Sequence, residues 1–223
     1  MLPDSRAFLD MTTTITKPAA LSAEPTLDQK SVTRTVIRGT FPLSSAEPIV
    51  FLIKCLCSQS GQFGDFNEWD RVYSMSPETS TPKNSILLRN HSVPNYPDLP
   101  VSLFYLGRPE RRVTAPCERR SITAVSIGRE ADAVLSLLGC TFVYEYMRKG
   151  LRCRTRNGIV IEIFTIERFQ EKHDVHSTIP LLSDDEKYAI IELISDTGAS
   201  PQELEDLMRH ISPHVSLHTH PNV

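Results

Sequence analysis

Glycine and tryptophan are scarce in this 223-residue chain, with nine and one respectively, and aromatic residues make up only 7%. None of the glycines completes a G-x-x-x-x-G-K-[ST] phosphate loop, a G-x-G-x-x-G dinucleotide fingerprint or a G-x-S-x-G nucleophile elbow, and no H-E-x-x-H occurs. The nucleotide-loop, serine-hydrolase and zinc-protease classes therefore have no sequence support. The five cysteines (Cys55, Cys57, Cys117, Cys140 and Cys153) are odd in number and widely spaced, which is no disulfide framework and fits thiols kept reduced. Cys55 and Cys57 form a lone C-x-C without the second pair that a four-ligand zinc site needs. Long hydrophobic runs are also missing: the longest uncharged apolar-rich stretch, Ala133 to Tyr144, falls short of the about 20 residues of a membrane span. Nor does one sign of charge dominate. With 24 Lys+Arg against 27 Asp+Glu the net charge is −3, which excludes a nucleic-acid-binding polycation. The opening MLPDSRAFLDM has neither a basic start before an apolar block nor an Arg-rich, acid-free composition, so no signal or transit peptide is expected. The expectation is a soluble intracellular protein.

What is present is a succession of strand patterns. Residues 1–30 carry Pro3, Pro18 and Pro25 with few large apolar side chains and read as a tail. Alternation begins near Val32, in VTRTVIRGTF. Ser44 and Glu47 have capping-box spacing, and the apolar residues from Ile49 to Leu56 predict an amphipathic helix over 46–57. A strand follows at 68–75. Residues 76–100 hold Pro77, Pro82, Pro94, Pro97 and Pro100 and read as a loop insertion, with a short strand possible only at 86–89. Strands are then predicted at 101–107 and 121–127, a helix over 130–138 closed by Gly139, and strands at 141–150, 151–156, 159–169 and 187–195. Asn157-Gly158 marks a tight hairpin. A last helix is capped by Ser200, has Pro201 in its first turn and aligns Leu204, Leu207, Met208 and Ile211; Pro213 ends it, and HVSLH offers one more short strand. Seven or eight turn-linked strands with about three flanking helices predict an α+β, predominantly antiparallel single domain over 31–220, built on a closed β-barrel.

The small net charge conceals an asymmetry. Residues 108–156 hold eleven Lys+Arg and five Asp+Glu, whereas 157–223 hold four and twelve. Arg148, Lys149, Arg152, Arg154 and Arg156 crowd the hairpin 148–156. Two readings fit: a surface for an acidic or phosphorylated partner, or a rim whose arginines pair with the acidic end. Glu145, Glu162 and Glu192 sit singly in predicted strands. Pointing together into a basic barrel, they would suit a metal-dependent tunnel phosphohydrolase or a polyphosphate-binding barrel, but none has the second carboxylate two residues away that such tunnels use. His210, His214 and His218 have one-face helical spacing for a metal, which Pro213 interrupts.

LFYLGRPERR (103–112), the block 119–169 and KYAIIELISDTGASPQELEDLMRHISPHVSLH (187–218) together resemble the Mediator subunit 18 family. The carried pattern is a strand ending in Leu106, Gly107, Pro109 and Glu110; a strand–helix unit ending in Leu138-Gly139; and a Tyr-Glu-Tyr strand, Tyr144 to Tyr146, running through a Lys-Gly turn into the basic hairpin. The opening strand-to-helix unit RTVIRGTFPLSSAEPIVFLIKCLC fits as well. The resemblance implies a triphosphate-tunnel-like barrel without that group's metal-binding acid pairs. It further implies a nuclear, non-enzymatic subunit of the Mediator head module, a coactivator scaffold for RNA polymerase II transcription. Implied partners are Mediator subunit 20 and the C-terminal helix of Mediator subunit 8, with no cofactor, metal, membrane or sequence-specific nucleic acid. For partner contact, Tyr144 and Tyr146 offer aromatic area, Arg152 and Arg154 charge, and the doubly apolar strand 159–169 offers Ile161, Ile163 and Phe164, unless the chain's own helices already cover it.

Overall fold

Period-two alternation over Lys30–Pro42 produces the first strand, β1, whose Ile37 and Phe41 are fully buried on one face while Arg34 and Arg38 occupy the other. The computed structural model describes residues 30–57, 63–75, 85–91, 101–110, 117–128, 130–181, 188–196 and 201–218. The expected tail and most of the Pro-rich segment lie outside them, as do Ser200 and His220. After β1 come α1 (Ala46–Cys57), β2 (Phe63–Ser74), β3 (Ser85–His91), β4 (Val101–Leu106), β5 (Cys117–Ile127) and α2 (Ala131–Leu137). The second half adds β6 (Thr141–Arg154), β7 (Val160–Phe169), β8 (Thr178–Pro180), β9 (Tyr188–Ser195), α3 (Pro201–Ile211) and β10 (Ser216–His218).

All strand pairs are antiparallel. The order β1-β5-β4-β3-β2-β6-β7-β9 returns to β1, which closes an eight-stranded barrel. β8 and β10 extend it at the ends of β7 and β1. Closure leaves the barrel itself with no free edge.

Helices and strands overlap their predicted bounds, but β2 begins five residues before position 68, β5 begins four before position 121, β8 has no expected counterpart, and three further differences occur. Ser44 lies inside a single 3-10 turn over Leu43–Ser45 and not at a capping box. β3 runs seven residues, longer than the four the sequence suggests, because both β2 and β4 pair with it. The two strands expected on either side of a Lys-Gly turn are one continuous strand, β6. Gly150 marks no turn: it sits where β7 crosses so close that a Cβ would collide with the Ile163 carbonyl. At Gly139 the backbone does need glycine, since its φ of 78° ends α2 in the left-handed region.

The apolar core lies outside the barrel wall. α1 and α3 cover the outward faces of β1, β7 and β9, burying Ile37, Phe41, Ile53, Ile161, Leu193, Leu204 and Ile211. A second cluster seats α2, through Ala131 and Leu135, against Tyr73, Ile86, Leu88 and Val101. Arg71 and Tyr73 both bond Asp132, fixing α2 in place. No helix among the described residues is long and apolar enough to cross a membrane.

Candidate functional site

Because outward positions carry the core, the alternate positions of the same strands point into the barrel, and many of these are charged. Arg34, Arg38, Arg89, Arg120, Arg148 and Arg152 meet Glu68, Asp70, Glu118, Glu162, Glu192 and Asp196 there or at its ends. Arg89 grips Asp70 through two bonds of 2.7 Å, and Arg34 grips Asp196 through bonds of 2.6 and 2.7 Å. Arg38 donates to Glu192 at 2.6 Å and to Glu118 at 2.7 Å, and Arg120 pairs with Glu118. Arg152 spans Glu68 at 2.8 Å and Glu162 at 2.7 Å. Arg148, at the centre and 4% exposed, bonds Glu162 and lies 3.6 Å from both Glu68 and Glu192. Its guanidinium also stacks 4.0 Å above the Phe164 ring.

The electrostatics follow from this crowding. Burial pushes the Glu68 carboxyl up, but the His91 hydrogen bond and the charges of Arg89, Arg152 and Arg148 outweigh it and hold Glu68 far below the usual carboxylate range. At Glu192 burial is likewise outweighed, by Arg38 and Arg148, bringing it down to about 2. Burial, with Arg38 and Arg34 nearby, brings Arg120 down to about 10. These six guanidinium groups face six carboxylates, and Arg154 stands beyond them at one end of β6. An anion-binding tunnel needs cationic surplus, and a metal tunnel needs anionic surplus; here each charge answers another.

Two constellations stand out among these ion pairs. The sequence reading missed that Glu68 and Asp70 are a carboxylate pair two residues apart on β2, both pointing inward and at most 1% exposed. The signal was present as Glu-x-Asp in NEWDRV, masked by weak alternation around Trp69. Glu162 and Glu192 also point inward, whereas Glu145 faces out, accepting bonds from Trp69 Nε1 at 3.0 Å and from the His173 backbone at 2.7 Å. The three single glutamates therefore do not converge. Second, Ser102, His91 and Glu68 form a chain of two 3.0 Å contacts with the connectivity of a nucleophile–base–acid relay. Glu68 at the end of that chain is also shared among Arg89, Arg148 and Arg152. Among the described residues no group of three or more His, Cys, Asp or Glu is arranged for a metal ion. His210 is exposed on α3, and the side chains of His214 and His218 lie outside the described residues.

The seven expected contact residues separate. Ile161 (1% exposed) and Ile163 (8%) lie beneath the chain's own helices, and Phe164 (4%) lies inside the tunnel under Arg148. All three are covered within the chain: the double apolar face of β7 meets the outer core on one side and cation–π stacking on the other. Tyr144 and Tyr146 stack with ring centroids 6.0 Å apart at one end of the barrel, Tyr144 being 40% exposed and Tyr146 recessed. Burial, then the charge of Asp70, pushes the Tyr146 hydroxyl well above its ordinary range. Arg152 and Arg154 stand at the opposite end, beside an open depression of about 360 Å³ that Phe63, Phe66 and Val160 also line. The basic hairpin is largely answered within the chain: Lys149 bonds Glu167 at 2.6 Å, and Arg148 and Arg152 share Glu162. Sequence reading also overlooked the outer side of α2, where Val134, Leu137 and Leu138 are exposed at i, i+3 and i+4 spacing.

The Med18 protein family matches residues 17–208. The chain belongs to this family. No curated protein matches it in sequence. Among solved structures, a chain of the Schizosaccharomyces pombe Mediator head module is similar with a TM-score of 0.67 and 15% identity, covering 83% of this chain and 97% of that one. A Hippeastrum protein described as having a dominant triphosphatase activity is similar with a TM-score of 0.52 and 9% identity, over 85% of this chain and 92% of its own. PH1819 from Pyrococcus horikoshii OT3 gives 0.52 and 14%, over 86% and 94%. These likenesses establish the fold of this Med18 family member, a triphosphate-tunnel-like barrel.

Proposed function

We propose that this Med18 family member is a non-enzymatic structural subunit of the Mediator head module. In this reading it resides in the nucleus and serves as a coactivator scaffold between regulators and RNA polymerase II, pairing with Mediator subunit 20 and receiving the C-terminal helix of subunit 8. The observation that carries the reading is the mutual pairing of buried arginine and carboxylate in the tunnel. A barrel whose interior charges are spent on one another retains its architecture but has no surplus for phosphate or metal, so its outer surface is what remains for function. Tyr144 at one end and Arg152 and Arg154 at the other are the retained contact candidates. Co-expression with subunits 8 and 20 of the same organism tests the proposal: a stable ternary complex is expected on size exclusion, and failure of either subunit to co-purify overturns that pairing.

A second reading, a metal-dependent tunnel phosphohydrolase, is favoured by the inward Glu68–Asp70 pair. It requires triphosphate hydrolysis that saturates with divalent cation and disappears in Glu68→Gln. The scaffold reading expects no such activity.

A further inference from the structure

The C-x-C of the sequence has no role in the tunnel, yet its second cysteine has a partner. Cys57, the last residue of α1, and Cys153, near the end of β6, place their sulfur atoms 2.8 Å apart. Neither is in a disulfide; they are 4% and 2% exposed, enclosed by the apolar cluster that holds α1 to the barrel. The separation exceeds a disulfide bond of about 2.05 Å by less than an ångström, so joining the sulfurs needs only a small side-chain adjustment.

We propose that Cys57 and Cys153 are a disulfide-forming pair, a redox site that staples the end of α1 to the barrel wall. The oxidant is a small-molecule disulfide such as oxidised glutathione. The Cys57 thiolate attacks one of its sulfurs; the small S–S bond breaks, a mixed disulfide forms, and one small thiol leaves carrying a proton. Cys153 then attacks the Cys57 sulfur and expels the second small thiol. Two protein thiols are oxidised and one small disulfide is reduced to two thiols. Burial pushes both thiols up, so thiolate is scarce in the closed state and the reaction proceeds through opening of the last turn of α1. Cys55, exposed two residues earlier, is the competing target for simple adduct formation.

The test equilibrates the full chain with excess oxidised glutathione, quenches it in acid, and maps it by non-reducing proteolysis and mass spectrometry. The expected result is one peptide pair joined through Cys57 and Cys153, lighter by two hydrogens than its parts and abolished by dithiothreitol. The thermal midpoint should rise by about 10 °C on oxidation, because the bond closes a long loop of the unfolded chain. Cys55→Ser should keep both effects, and Cys153→Ala should lose both. Recovery of Cys57 and Cys153 only as free thiols or glutathione adducts overturns the proposal, as does a cross-link through Cys55 in place of Cys57. An oxidant-dependent rise that persists in Cys153→Ala overturns the staple.

Discussion

The two faces of a single strand, β9, show how this barrel inverts the usual arrangement. Outward, Ala189, Ile191 and Leu193 are all at most 1% exposed and pack under α3 and its neighbours; inward, Glu192 is held by Arg38 and Arg148. Hydrophobic stabilisation is thus supplied between wall and helices, where apolar area leaves water. The interior offers a different commodity. Ion pairs taken from water gain little net stability, because desolvation offsets most of their attraction, but removing one partner strands the other. The outside of the barrel holds the fold together, and the inside dictates which interior arrangement is permitted.

Mutations can break that contrast in a defined order. Arg148→Ala should have the largest effect, about 3–5 kcal/mol in urea unfolding, since it leaves Glu162, Glu68 and Glu192 without their shared cation. Leu204→Ala, on the outer side, should cost about 3 kcal/mol through a cavity beneath α3, with the tunnel unaffected. Acid should act on the inside. Glu192 is held down to about 2, while in the unfolded chain it titrates near its ordinary value of 4.5, so the unfolded state takes up the proton first as pH falls. Its contribution is complete above about pH 5 and is lost between about pH 5 and pH 2. Thermal midpoints across that range should fall steeply, and in Arg38→Met, where the largest charge holding Glu192 down is gone, the loss should be smaller and should end at a higher pH. The smallest effect belongs to Tyr144→Ala at the exposed end: stability should stay within about 0.5 kcal/mol, while retention of subunits 8 and 20 in co-purification drops.

The sequence revealed most where one face of an element is wet. α3, with Leu204, Met208 and Ile211 on one side, and α1 and α2 are found close to where periodicity puts them. It revealed least where both faces of a strand are enclosed. In β7 the run from Val160 to Ile166 cannot say which side meets a helix and which a guanidinium, because Phe164 serves under Arg148 as readily as in a core. Inward Glu68 and Asp70 were hidden for the same reason, and the charge asymmetry between the middle and the end of the chain was legible without its geometry. The register of β6 on β7, which sets Arg152 opposite Glu162, joins part of the basic hairpin to the acidic half of the chain.

The pairing of β1 has a consequence in time. It is the first strand of the barrel, yet it closes against β9 and is extended by β10, near the other end of the sequence. At translation rates of about 5–20 residues per second, β1 waits on the order of ten seconds after its synthesis before β9 exists. During that interval β5 can cover part of it, but the stretch from Arg38 to Pro42 has no other strand to meet. A nascent chain stopped anywhere short of Ser195 is therefore an open sheet with an exposed edge, not a smaller barrel.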